Sequence, residues 1–158
     1  MQWVWLVYRL PREPSSPRIA LWRKLRRLGV AQVTDGVAAL PLDARNRERL
    51  EWLADEVLEA DGEAMVWLAE PTSAAVERRL VERLASERAE EYQAVIEQAE
   101  AATAGGLGVR RRQLRRLRRE LRRIRQRDYF PPAERDLAAA AVARLAEPVE
   151  AHQLEEGR

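Results

Sequence analysis

The sequence contains no cysteine, so neither a disulfide framework nor a thiolate metal site is possible. Histidine and lysine are almost missing too: His152 and Lys24 are the only ones. No stretch approaches the ~18 uninterrupted apolar residues of a membrane span. The opening MQWVWLVYRLPRE has no basic region ahead of its apolar run and soon turns charged, which argues against a secretory leader. The constellations that build enzymes are also absent: no nucleophile stands with a base, and no metal cluster is visible. GGLG at 105–108 follows no strand and lacks a lysine-serine ending, so it is not a phosphate-binding loop. The acids of DEVLEADGE, Asp55 to Glu63, have neither a histidine nor a second carboxylate cluster beside them and read as the wet side of a helix. These absences lead to the expectation of a cytoplasmic, non-enzymatic protein without cofactor, metal or membrane partner.

What the chain has instead is arginine, concentrated in one place. The 158 residues carry a formal charge of only +2, but eleven arginines and one acid give residues 110–127 a charge of +10 and leave −8 for the rest. Local charge density, not the total, sets the local field. Within VRRRQLRRLRRELRRIRQR, Leu114, Leu117, Leu121 and Ile124 are spaced 3, 4, 3 and so form one narrow helical seam. The spacing predicts a helix whose aliphatic edge packs antiparallel on residues 73–104. The acids of that partner, Glu87, Glu90, Glu91, Glu97 and Glu100, are too few to neutralise it. An exposed excess of arginine suits phosphate, because each planar guanidinium donates two parallel hydrogen bonds.

Ahead of this region the pattern alternates strand and helix. Trp3 to Tyr8 is apolar on both faces, as in the middle strand of a sheet. Ser16 and Pro17 open a helix with Leu21, Trp22, Leu25 and Leu28 on its apolar stripe, and Gly29 ends it. Val30 to Thr34 and Val37 to Leu40 read as a hairpin turning at Asp35-Gly36, although Ala38-Ala39 is poor strand material. Asp43 caps a second helix with Leu50, Leu53, Val57 and Leu58, and Ala64 to Ala69 is the last strand. The order β-α-β-β-α-β predicts an α+β class with a ferredoxin-like sheet domain over residues 1–72. A helical hairpin with a short third helix then covers 73–147, and a polar tail containing His152 covers 148–158. All five tryptophans lie in apolar patterns, so most are expected in the core or on the sheet face, with one or two partly exposed, and not as base-stacking platforms.

Several collinear motifs carry a family resemblance over most of the chain. The strand ending in YRLP, the PSxxR entry to an arginine-rich helix, the DGVxxLP turn and strand, the NRERLEWLADEVLEADGEA stretch and the RDYFP break occur in this order. Together they resemble the amino-terminal domain of ChrB, the bacterial chromate-resistance regulator family. The resemblance implies a regulator that binds promoter DNA and releases it when chromate accumulates. The family's fuller members have a carboxy-terminal domain that this chain lacks, so a separate ChrB C-terminal-like domain is an expected partner, alongside a homo-oligomer. The first half also resembles the ferredoxin-like domain shared by the phenylacetate repressors and the Cas2 nucleases. The nucleases place a metal-binding aspartate at the end of the first strand, where this chain reads Val7-Tyr8-Arg9-Leu10.

The residues expected to contact phosphate are Arg111, Arg115, Arg118, Arg122 and Arg125, with Arg18, Arg23, Arg26 and Arg27 on the first helix as a second patch. Two other readings stay open: an oxyanion sensor or protein-docking module in which arginines hold chromate or sulfate, and a structural dimer built on the sheet edge or the Leu114 seam.

Overall fold

The computed structural model describes residues 1–157. Its elements are β1 (Trp3–Arg9), α1 (Ser16–Leu28), β2 (Ala31–Thr34), β3 (Val37–Pro41), α2 (Ala44–Glu59), β4 (Glu63–Ala69), α3 (Ala74–Thr103), α4 (Leu107–Gln126) and α5 (Glu134–Glu156). They divide between two compact units, Met1–Leu84 and the chain from Ala85 on, with α3 supplying helix to both.

In the first unit the strands form one antiparallel sheet in the order β2-β3-β1-β4, the ferredoxin-like arrangement that the element order predicted. β1 is internal because it is apolar on both faces. Val4 and Leu6, with Ala38 and Leu40 beside them on β3, are fully buried on one face, and α2 lies against β1 and β4 with Leu50, Leu53, Ala54 and Val57 inward. On the opposite face the indole of Trp3 donates to Glu77 of α3 at 3.4 Å, and Leu80 and Leu84 of the same helix are buried. Ala38 and Ala39, weak as strand formers, are fully buried. β-propensity reports fit to a pleated, packed surface and not an intrinsic backbone preference, so tertiary packing on the sheet faces overrides it here.

Turn chemistry fixes the joints. Gly29 ends α1 in the left-handed region at φ 70°, and Gly36 turns the hairpin at φ 78°. A Cβ on Gly36 would sit 2.5 Å from the Tyr8 carbonyl oxygen, so this position requires glycine. Asp43 is extended and accepts from the Asn46 backbone N–H at 2.6 Å, the cap expected of it.

Two local expectations change. Ser16 is already helical, and the cap position belongs to Ser15, which has helical dihedrals and makes no side-chain capping bond; with Pro17 in the first turn, one donor needs no cap anyway. Leu58 is exposed and not inward, because eight residues past Leu50 it stands roughly 80° around the helix.

The second unit is one hydrophobic cluster of three helices: Tyr92, Val95, Ala99 and Ala102 from α3, the Leu114 seam from α4, and Ala138, Ala141, Val142, Leu145, Ala146 and Val149 from α5. The seam is therefore buried as its spacing required, but α3 shares it with α5, whose alanines allow close approach. The expected short helix and polar tail are instead one helix of 23 residues. Pro148 sits inside it and leaves the Arg144 carbonyl without its helical donor. The helix continues because Val149, beyond the proline, is in the core. No helix of the described residues is long and apolar enough to cross a membrane.

Candidate nucleic-acid interface

α4 begins at Leu107, with Gly106 as its extended N-cap. Arg110 folds back to donate to the carbonyl of Gly105 at 3.0 Å and to that of Thr103. It thereby satisfies acceptors that the end of α3 leaves open. This arginine is structural.

Around the rest of the circumference the arginines divide by angle. At about 100° per residue, a second row repeats the 3, 4, 3 spacing of the leucine seam almost opposite to it: Arg112, Arg115, Arg119 and Arg122. All four are exposed, and among the described residues none has a carboxylate within 4.0 Å. The row is ~15 Å long. Arg125 is also exposed, with no carboxylate partner among the described residues, and Arg116 donates to Gln113 and Gln98.

The other arginines are held. Arg118 meets Glu150 at 2.8 Å and Arg111 meets Glu156 at 3.5 Å; both acids belong to the part of α5 expected as a loose tail. Arg123 faces Glu120 at 3.7 Å. At the far end a denser network forms around RDYFP: Arg127 pairs with Glu91 at 2.8 Å, buried Arg88 pairs with Glu91 at 3.1 Å and Glu87 at 3.3 Å, and the Tyr92 hydroxyl donates to Asp128 at 2.8 Å. Burial, with the Asp128 carboxylate next, pushes the Tyr92 phenol well above its ordinary range. Arg127 and Asp128 thus fix the corner after α4.

Of the five positions expected on α4, the structure puts Arg115, Arg122 and Arg125 free at the surface and Arg111 and Arg118 in ion pairs with α5. Arg112 and Arg119, outside the expected set, are also free at the surface. Their signal was present, since they lie farthest from the seam centre, whereas the row 111, 115, 118, 122, 125 runs along the seam's flank.

On α1, Arg18, Arg23, Arg26 and Arg27 are all exposed, without carboxylate partners among the described residues. Lys24 instead bonds Glu56 of α2 at 2.6 Å. The Arg26 guanidinium lies 4.9 Å over the ring of Trp22, which leaves it planar and available on its other face. Trp22, Trp52 and Trp67 are each more than half exposed, more than the one or two expected. Among the described residues no group of three histidines and acids converges as a metal cage.

The Protein ChrB, N-terminal family matches residues 18–153. Protein ChrB of Cupriavidus metallidurans is 30% identical over 133 residues, which cover 82% of this chain and 40% of that protein. The chain thus spans well under half the length of that relative. A match from α1 through α5, both units included, makes this chain a member of the ChrB N-terminal family.

Proposed function

We propose that this chain is a non-enzymatic regulator in chromate resistance that binds promoter DNA through the outer row of α4. One observation carries the reading: Arg112, Arg115, Arg119 and Arg122 stand exposed in line, unmatched by carboxylates, on a helix whose opposite side is locked into a core. A rigid helix fixes the backbone beneath the four arginines, so only their side chains need ordering, and each guanidinium can fork onto a phosphate. Arg115 and Arg122 belong to this row, while Arg125 on its flank and, in the first unit, Arg18, Arg23, Arg26 and Arg27 are additional phosphate contacts outside it. Such contacts orient a duplex without reading its bases. Chromate, a tetrahedral dianion, competes for the same guanidinium chemistry and is the proposed effector, with a ChrB C-terminal-like domain as a candidate partner.

A second reading is favoured by Arg111, whose Nε is buried without a hydrogen-bond partner and whose Nη2 meets Glu156 only at the long distance of 3.5 Å. Desolvated donors of this kind suit a small oxyanion held directly, without DNA. Fluorescence anisotropy with a labelled duplex and calorimetry with chromate and sulfate separate the two. Duplex binding that is lost on replacing Arg112, Arg115, Arg119 and Arg122 together by glutamine supports the first. Oxyanion binding lost with Arg111→Gln, and no duplex affinity at low salt, supports the second and removes the first.

A further inference from the structure

The two edges of the sheet are built differently. β2 is four residues long, carries Gln32 and Thr34, and has an irregular register between them. The Arg83 side chain donates to the Gln32 carbonyl, and the Gln32 amide donates to the Thr34 carbonyl at 2.8 Å. Shortness, polarity, a bulge and a covering cation are the devices by which proteins keep an edge strand from pairing. β4 has none of them. It is seven residues long, and between Glu63 and Glu70 it reads Ala-Met-Val-Trp-Leu-Ala, with no charge, proline or glycine. Among the described residues no side chain bonds its backbone.

This edge also exposes large apolar side chains. Met65 and Trp67 lie on one face of the strand and Leu68 on the other, and Leu58 lines a common hollow with Ala64 and Met65. Leu58, Met65, Trp67 and Leu68 are 53, 57, 55 and 48% exposed. Exposed to about half, these four side chains leave on the order of 400 Å² of apolar surface in water, shared between the two faces that border the open edge.

We propose that the occupant is a second copy of this chain, its β4 paired antiparallel with β4 across a two-fold axis at Val66, so that two four-stranded sheets become one of eight. The strand is self-complementary in that register. Met65 of one copy falls opposite Trp67 of the other, thioether against indole, and Ala64 falls opposite Leu68, small against large. Glu63 faces Ala69, so no like charges meet. Two copies hide on the order of 800 Å² of side chain besides the backbone of the strands, which reaches the ~1,000 Å² a specific interface needs. An isologous pairing of this kind also closes on itself and leaves the protected β2 edges outermost.

Sedimentation equilibrium of the full chain without nucleic acid tests this. Twice the monomer mass of 18.2 kDa is expected at micromolar concentration. Trp67→Lys and, separately, Met65→Lys weaken self-association at least tenfold with unchanged circular dichroism, while Thr34→Lys on β2 has no effect. As the chain lacks cysteine, Val66→Cys supplies a single thiol that lies within disulfide range of its own copy across the axis, and mild oxidation should give a covalent dimer. A monomer at 100 µM, or a dimer that both lysine variants leave intact, overturns the proposal. Neither result bears on the α4 reading, whose residues lie in the other unit.

Discussion

Neighbouring arginines on α4 provide an internal control for the DNA reading, because Arg118 is paired with Glu150 at 2.8 Å and Arg119, next in sequence, has no carboxylate. Each phosphate neutralised contributes about −0.9 to the slope of log K against log salt. Four free guanidinium groups in the outer row give a slope near −3.6, and a loss of affinity of roughly 150-fold between 50 and 200 mM salt. Arg119→Gln should bring the slope to about −2.7. Arg118→Gln, removing a cation already spoken for, should leave it unchanged within error. Glu150→Gln should steepen the slope toward −4.5 by releasing Arg118. Both members of this pair are about half exposed, so its loss costs the fold no more than ~1 kcal/mol and the variants remain comparable. Anisotropy titrations of one duplex at five salt concentrations supply the slopes. Equal slope changes at positions 118 and 119 would refute the argument, since the field of the whole helix, and not the unpaired row, would then be responsible.

Two further predictions concern what holds the helix in place. Leu117 is fully buried in the three-helix cluster, so Leu117→Ala should lower unfolding free energy by about 2–5 kcal/mol in urea titrations, whereas Arg119→Ala should change it by less than ~0.5 kcal/mol. Tyr92→Phe removes a hydrogen bond to Asp128 and should cost about 1.5–3 kcal/mol at neutral pH. The Tyr92 phenol is raised in the folded state, so its contribution is fully present below the ordinary tyrosine value of ~10 and is lost as pH rises toward the folded value. Urea titrations of the wild type above pH ~10 should show this alkaline loss, and the phenylalanine variant should not.

The parts of this molecule that were legible in the sequence are those set by local periodicity. The 3, 4, 3 seam, the Asp43 cap, the Asp35-Gly36 turn and a first strand apolar on both faces each state their own structural consequence, and the strand order follows from their succession. What was not legible depended on tertiary position. Met65, Trp67 and Leu68 look like core residues because a strand pattern does not distinguish an internal strand from an edge. Ala38 and Ala39 look weak because propensity counts a small side chain against a strand, whereas their full burial comes from tertiary packing on the sheet faces. The end of α5 was hidden by Pro148, which locally ends a helix. The countervailing terms, Val149 in the core and two glutamates against arginines of another helix, are many residues away in sequence.

The length of α5 and the pairing of Arg111 and Arg118 have one cause. Read as a tail, residues 148–158 bring no acids to α4, and the flank row of Arg111, Arg115, Arg118, Arg122 and Arg125 appears free along its whole length. Once α5 continues to Glu156, Glu150 and Glu156 come within reach of Arg118 and Arg111. The same pairs help to hold a helix that its proline would otherwise weaken. α4 is therefore spent in two directions: the flank facing α5 is consumed in assembling the second unit, and the row through Arg112 and Arg119 is left over. A helix needing arginine only for packing would carry it on that flank alone and glutamate or alanine outside, because like charges at i, i+4 destabilise it by a few tenths of a kcal/mol each. Arg115–Arg119, with Arg112–Arg115 and Arg119–Arg122 three residues apart, are such neighbours on the exposed side. The fold bears their cost without receiving a contact in return, which is the physical reason to look for the ligand there.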